Sequence, residues 1–282
     1  MNWRSFDAVA LERAYNPQKT VKDFSKYQTH RNARSVECRE TMKSFRDIPY
    51  GPGELQKVDV YPAGPGSPVN LFYHGGYWRT QDKKNFAFLA GTFVPKGITT
   101  VVVNYPLCPA VTLDEVVESA RESVTWAYRS IAQYDGDPDR ITVSGNSAGA
   151  HLCSMLLASD WAARGLPEQV IRGAVMFSGI YDPEPARWIP VNEEIGLSAE
   201  QASRNNSMAM EPKVNCPTWI GAGGQEPWLW LEQTYEYSQH LRRYGLDPEV
   251  HILPGFHHFS VMDQMMDPEG VIARAVEKQA KS

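Results

Sequence analysis

Short apolar runs rich in β-branched residues recur along the chain, with longer helical patterns between them. The runs are "PVNLFYH" (68–74), "ITTVVVNY" (98–105), "RITVSG" (140–145), "RGAVMFSG" (172–179), "PTWIGAG" (217–223) and "PEVHILPG" (248–255). Apolar runs this continuous predict strands buried on both faces of a sheet. Two earlier strands are predicted at "KSFRDI" and "QKVDVYP", joined by the turn "PYGPGE". A short turn there suits an antiparallel start. Helices are predicted over 83–97, over 112–134 with Thr112 as N-cap, from 147, over 226–245 and near 268–280. Strand alternating with helix predicts one α/β domain over residues 1–282 with a mostly parallel sheet.

Two segments break the rhythm. Residues 1–42 are polar with weak helical periodicity, which predicts short helices packed on the domain near the mouth of any site. Residues 183–216 carry four prolines, two of them flanking Glu184, and read as a cap-like insertion over one end of the sheet.

Composition narrows the function classes. The net charge of −5 across 282 residues shows no basic face of the kind nucleic acid needs. No apolar run is long enough to span a bilayer. The opening "MNWRSFDAVALERAYN" carries acids and has no apolar core, so no secretory signal is expected. Cys38, Cys108, Cys153 and Cys216 are far apart and fit no zinc spacing. They are expected as free thiols in a reducing, cytoplasmic setting. No metal or other cofactor is expected, because no glycine-rich nucleotide fingerprint or ligand cluster is present. The expected partner is a small molecule, with no nucleic acid and no membrane, and a homodimer is open. Eight Trp, thirteen Tyr and ten Phe cluster partly around the motifs below, which suggests an aromatic-lined pocket.

The candidate chemistry starts at "GNSAGAHL" (145–152). Ser147 stands between a buried strand and a helix, with Gly145 and Gly149 on either side. A sharp strand-to-helix turn would expose its hydroxyl above the carboxyl end of the sheet and aim the Ala148 N–H into the site. An attacking serine needs fixed donors for the oxyanion it creates. "HGGYW" (74–78), directly after a strand, offers Gly75 and Gly76, with the Tyr77 N–H also in reach. His74 is read as a histidine bracing this loop. The base is expected on the loop after the last strand, where spacing leaves His257 and His258 both open. The acid is expected after "PTWIGAG". Glu226 is the first acidic residue there, and Asp182 is its competitor.

Together these residues resemble the α/β-hydrolase fold, and more narrowly its arylformamidase (kynurenine formamidase) and carboxylesterase group with an HGGxW motif. The likeness rests on "HGGYW", "DPDRITVSGNSAGAHL", "FSGIYD", "GGQEPWLWLEQT" and "HHF", and extends to "ERAYNPQ" and "PYGPGELQKVDVYP" near the start. It implies His258 as base, since the family histidine stands before Phe, and Glu226 as acid, counted back from Gln233-Thr234. It implies a metal-independent serine hydrolase acting on a carboxylic ester, an aryl amide or a formamide through an acyl-enzyme. N-formylkynurenine is one candidate substrate. An acyltransferase or a non-catalytic binding protein on the same fold are the alternatives. Where the family often has an acidic residue and an Arg, this chain has "PWLWLEQT". Trp78, Trp188, Trp228 and Trp230, with Tyr77 and His257, are therefore expected to line the pocket and to favour a flatter, more apolar group.

Overall fold

The computed structural model describes residues 3–282. All eight predicted runs are strands: β1 Phe45–Pro49, β2 Lys57–Tyr61, β3 Ser67–Tyr73, β4 Thr99–Val103, β5 Gly136–Asn146, β6 Ile171–Phe177, β7 Thr218–Gly223 and β8 Glu249–Leu253. They form one sheet in the order β1-β2-β4-β3-β5-β6-β7-β8. β1 and β2 run antiparallel to their neighbours, and β4 through β8 are parallel. Every residue of β3 and β4 is buried, as an apolar run covered on both faces requires.

The helices are α1 Ala8–Tyr15, α2 Ser25–Thr41, α3 Phe88–Phe93, α4 Leu113–Ser130, α5 Ala148–Leu157, α6 Asn192–Ile195, α7 Ala199–Arg204, α8 Trp228–Arg243, α9 Asp263–Met266 and α10 Val271–Lys281. Side chains of β3 alternate between two cores. Leu71 and Tyr73 join the core under α4, α5 and α8. Phe72 joins the core under α3, α9 and α10. α4 starts as predicted: Thr112 and Glu115 form a reciprocal capping box, with the Thr112 N–H 2.7 Å from Glu115 Oε2. The helix expected over 83–97 is interrupted. A 3-10 turn at Lys83–Phe86 precedes α3, and a second one at Val94–Lys96 follows it. At the first break the Ser35 hydroxyl intervenes, donating to Asn85 O (2.8 Å) and accepting from the Phe88 N–H (3.2 Å). At the second, Pro95 lacks an N–H for a continuing helix. The four cysteines are buried and free.

Both irregular segments are helical and packed. The first is tied to the sheet by a buried charge cluster, in which Asp59 meets Arg39 (2.5 Å) and Lys83 (2.8 Å). Arg31 also donates to Phe259 O (2.8 Å), across 228 positions of sequence. Between β6 and β7, residues 184–209 fold into 3-10 turns and the short helices α6 and α7.

Two buried histidines position the strand ends. His74 stacks between Tyr105 (4.3 Å) and Phe86 (5.5 Å), and burial pushes its pKa down. His151 Nδ1 accepts from Trp78 Nε1 at 3.2 Å, so Nε2 carries the proton and donates to Asn205 O at 2.8 Å. Burial lowers the His151 pKa from 6.5 to about 4. The unfolded chain therefore takes up this proton first as pH falls. Stability is full above pH 6.5 and declines toward pH 4, by about 3 kcal/mol for this group alone. Urea midpoints between pH 7.5 and 4.5 should fall accordingly, with a shallower fall in His151→Gln. An equal fall in both proteins would assign the acid sensitivity elsewhere.

Candidate active site

Register brings the carboxyl ends of four neighbouring strands level. Tyr73 of β3 pairs with Gly145 of β5, Asn146 with Phe177 of β6, and Phe177 with Gly221 of β7. β3 is also where the strand order reverses, because β4 lies on one side of it and β5 on the other. Crevices at such reversals, beyond the carboxyl ends of parallel strands, are the ligand sites of open α/β sheets.

Ser147 sits at the end of β5 with φ 56° and ψ −123°, a backbone conformation costly for any residue but glycine. Its N–H donates to Phe177 O at 3.1 Å, and its carbonyl accepts from the His151 N–H at 3.1 Å. The flanking glycines have separate reasons. A Cβ on Gly149 would stand 1.9 Å from Tyr73 O, so only glycine lets α5 approach the end of β3. A Cβ on Gly145 would stand 2.5 Å from the Gly149 carbonyl. The start of α5 thus leaves its first N–H groups, from Ala148 onward, without a partner inside the helix.

His258 follows β8. Its Nδ1 lies 2.6 Å from Glu226 Oε2, and the carboxylate is buried. The other carboxylate oxygen accepts from the Ser178 hydroxyl at 2.5 Å and from the Gly223 N–H at 2.7 Å. Three donors therefore satisfy the acid and fix its orientation. Trp230 sets its ring edge-on to the imidazole, with centroids 4.5 Å apart. Ser147 and His258 line one cavity. Asp182 is placed elsewhere: its backbone carbonyl accepts from Tyr15 and Gln233, and its side chain caps the Glu184 N–H. Burial raises its pKa. His257 turns away from Ser147 and bonds Tyr27 Oη at 3.0 Å, while its Nδ1 accepts from the Phe259 and Ser260 N–H groups. Burial, with His258 alongside, lowers its pKa.

The loop after β3 departs from expectation at one residue. The Gly75 N–H donates to Asn146 Oδ1 at 3.1 Å, so it is already used. Gly75 instead supplies clearance, since a Cβ there would meet Ser147 Cβ at 2.9 Å. Among the described residues the N–H groups of Gly76, Tyr77 and Ala148 meet no protein acceptor. Gly76 has φ +117° and a Cβ on it would meet Thr80 O at 2.4 Å, so only glycine fits there.

The pocket walls are also different from the expected aromatic set. Of the six residues expected to line it, only Tyr77 does. Trp78 is buried against His151, and Trp230 is buried with its N–H on Tyr15 O. Trp228 packs on Phe6, and Trp188 is 58% exposed beside Glu184. Helical periodicity explains this: in α8 the large rings serve helix packing, so their density in sequence did not mark a cavity. The cavity encloses about 100 Å³, and its outer wall comes from the N-terminal segment, through Pro17, Gln18, Gln28, Arg31 and Asn32. Sequence reasoning missed these, along with Ser178 and Asn146. A polar, weakly periodic segment gave no signal beyond its being packed near the site. Among the described residues no group of three or more His, Cys, Asp or Glu is placed to hold a metal ion. No helix among them is long and apolar enough to cross a membrane.

Comparison with known proteins agrees with this architecture. Residues 70–262 match a family described by its alpha/beta hydrolase fold. The chain is 28% identical to a kynurenine formamidase of Danio rerio over 98% of each chain. It is 34% identical to esterase LipQ of Mycobacterium tuberculosis over 75% of this chain and 56% of that one. The crystal structure of a putative thioesterase from Silicibacter sp. TM1040 superimposes with a TM-score of 0.83 at 26% identity, covering 94% of this chain and 98% of that one. The strained serine between strand and helix, the sheet order and the extent of the match lead to one conclusion: the chain belongs to the α/β-hydrolase fold family.

Proposed function

We propose that the protein is a serine hydrolase that removes a formyl group from an aromatic amine, with N-formylkynurenine as its substrate. The observation that carries the chemistry is that Ser147 and His258 line one cavity, with the His258 imidazole held by the buried, doubly anchored Glu226 carboxylate. Near full-length likeness to kynurenine formamidases of fish supports the substrate. So does the cavity, whose amide- and arginine-bearing wall suits a polar amino-acid leaving group.

In this reading Ser147 Oγ attacks the formyl carbon while His258 Nε2 takes its proton. Glu226 holds the proton on Nδ1 and stabilises the imidazolium. The oxyanion accepts from Gly76 and Ala148, with Tyr77 in reach. These donors are fixed in advance by the Asn146–Gly75 bond and by the start of α5. His258 then protonates the departing aryl amine, the formyl group remains on Ser147, and water deprotonated by His258 releases formate.

Ser147→Ala should lower kcat on N-formylkynurenine by about 10⁶ with an unchanged thermal melt, by analogy with other triads. Retained turnover would remove Ser147 from the mechanism. Glu226→Gln should cost about 10³–10⁴ in kcat, as expected for a histidine left in the wrong tautomer, and Asp182→Asn far less. The opposite ranking would move the acid to Asp182. A panel of N-formylkynurenine, formanilide, p-nitrophenyl acetate and p-nitrophenyl decanoate separates substrate classes. The formamides and the acetate should be cleaved and the decanoate excluded. Turnover of the decanoate above the rest would make the protein a long-chain esterase.

A further inference from the structure

The charge lining the cavity runs against the charge of the chain. The protein carries a net −5, yet no Asp or Glu is among the residues that line the cavity, while two arginines are. Among the described residues each gives only its Nη1 to the protein, and the two differ in what that bond does. Arg31 is committed to the fold: Nη1 donates to Phe259 O (2.8 Å) and approaches Asp263 (3.4 Å), bracing α2 against the loop that carries His258. Arg79 is not committed in this way. It directly follows "HGGYW", and its N–H donates to Gly76 O at 3.1 Å, so its backbone is fixed by the same turn that presents the free N–H groups. Its Nη1 bonds Glu194 Oε2 at 2.5 Å, which holds the guanidinium from the solvent side. Its Nε is buried without a partner, and among the described residues Nη2 has no protein acceptor. The side chain is 18% exposed, so a second anion meeting it would be only weakly screened.

We propose that Arg79 is a specificity-determining residue that binds a carboxylate on the leaving group, making the site selective for anionic substrates. Of the guanidinium fork, Glu194 occupies Nη1 and burial closes off Nε, which leaves Nη2 as the nitrogen that donates to the carboxylate. Gln18, Gln28 and Asn32, on the same cavity, supply neutral donors and acceptors around the charged end without introducing a competing carboxylate. The scissile formamide is taken from the preceding reading. The charge preference depends only on the cavity.

The test compares N-formylkynurenine with its carboxamide, which has the same formamide but no carboxylate. Wild-type protein should prefer the acid by about 10- to 100-fold in kcat/KM, the range expected of one charge-assisted hydrogen bond. Arg79→Gln should abolish the preference through KM, with kcat following the wild type much more closely. Arg79→Lys, which keeps the charge but not the fork, should retain part of it. A ratio unchanged within twofold in Arg79→Gln, or a loss confined to kcat, overturns the proposal. If wild-type protein cleaves neither formamide, the formamidase reading fails, and the comparison passes to 3-acetoxybenzoate and phenyl acetate. There an Arg79-dependent preference for the benzoate supports the assignment and its absence overturns it. Should Arg79→Gln not fold, the Arg79→Lys series decides by the same ratios.

Discussion

The site depends on one close approach, that of α5 to the end of β3. Gly149 lies against the Tyr73 carbonyl at a distance no side chain permits, and Gly145 lies against Gly149. That contact lets a helix begin immediately after a parallel strand. It forces the residue between them into a strained backbone, here Ser147 at φ 56°. The strain is sustained by what surrounds it: the Ser147 N–H on Phe177 O, the His151 N–H on Ser147 O, and the His151 ring pinned by Trp78 and Asn205. The placement of the Ser147 hydroxyl at the cavity and a set of unpaired helix N–H groups are consequences of the same packing event.

The remaining parts are held by bonds that cross from strand end to strand end. Asn146, one residue before the serine on β5, ties down the loop after β3 through Gly75. Ser178, just past β6, grips the carboxylate that follows β7, and that carboxylate holds the imidazole that follows β8. With the Ser147 N–H on Phe177 O joining β5 to β6, four hydrogen bonds link five neighbouring positions on the sheet in a row. Such linkage keeps groups from different loops within fractions of an ångström without rigid loops, because each loop is fixed at its strand end.

Most of this was legible where periodicity and local chemistry agree. The strands read clearly because parallel strands are apolar throughout, and the elbow read clearly because its glycines answer to backbone clearance. The choice between His257 and His258 was not legible from spacing, since adjacent loop residues can face either way. The fold separates them, giving His257 to Tyr27 and His258 to Glu226. Gly75 was misread because an amide side chain from another strand takes its N–H. The tryptophans were misread because a ring-rich helix can bury its rings in packing as well as in a pocket. The wall of the cavity was the least legible part. Its polar residues lie in a segment whose sequence shows little periodicity, and only tertiary contact places them there.

That wall has a consequence for the order in which the molecule becomes competent. Arg31 meets Phe259 across 228 positions of sequence, and residues as far apart as Pro17 and Met262 line the same cavity as Ser147. Closing so long a loop carries the entropic cost of non-local contacts, which are slow to form. The sheet and its elbow can be in place while the cavity is still open on one side. The proposed catalytic groups are therefore set by contacts among neighbouring strands, whereas the cavity wall waits on long-range docking. On the proposed reading, an incompletely docked chain would hold Ser147 without the wall that selects its substrate, and selectivity would be a property of the finished fold.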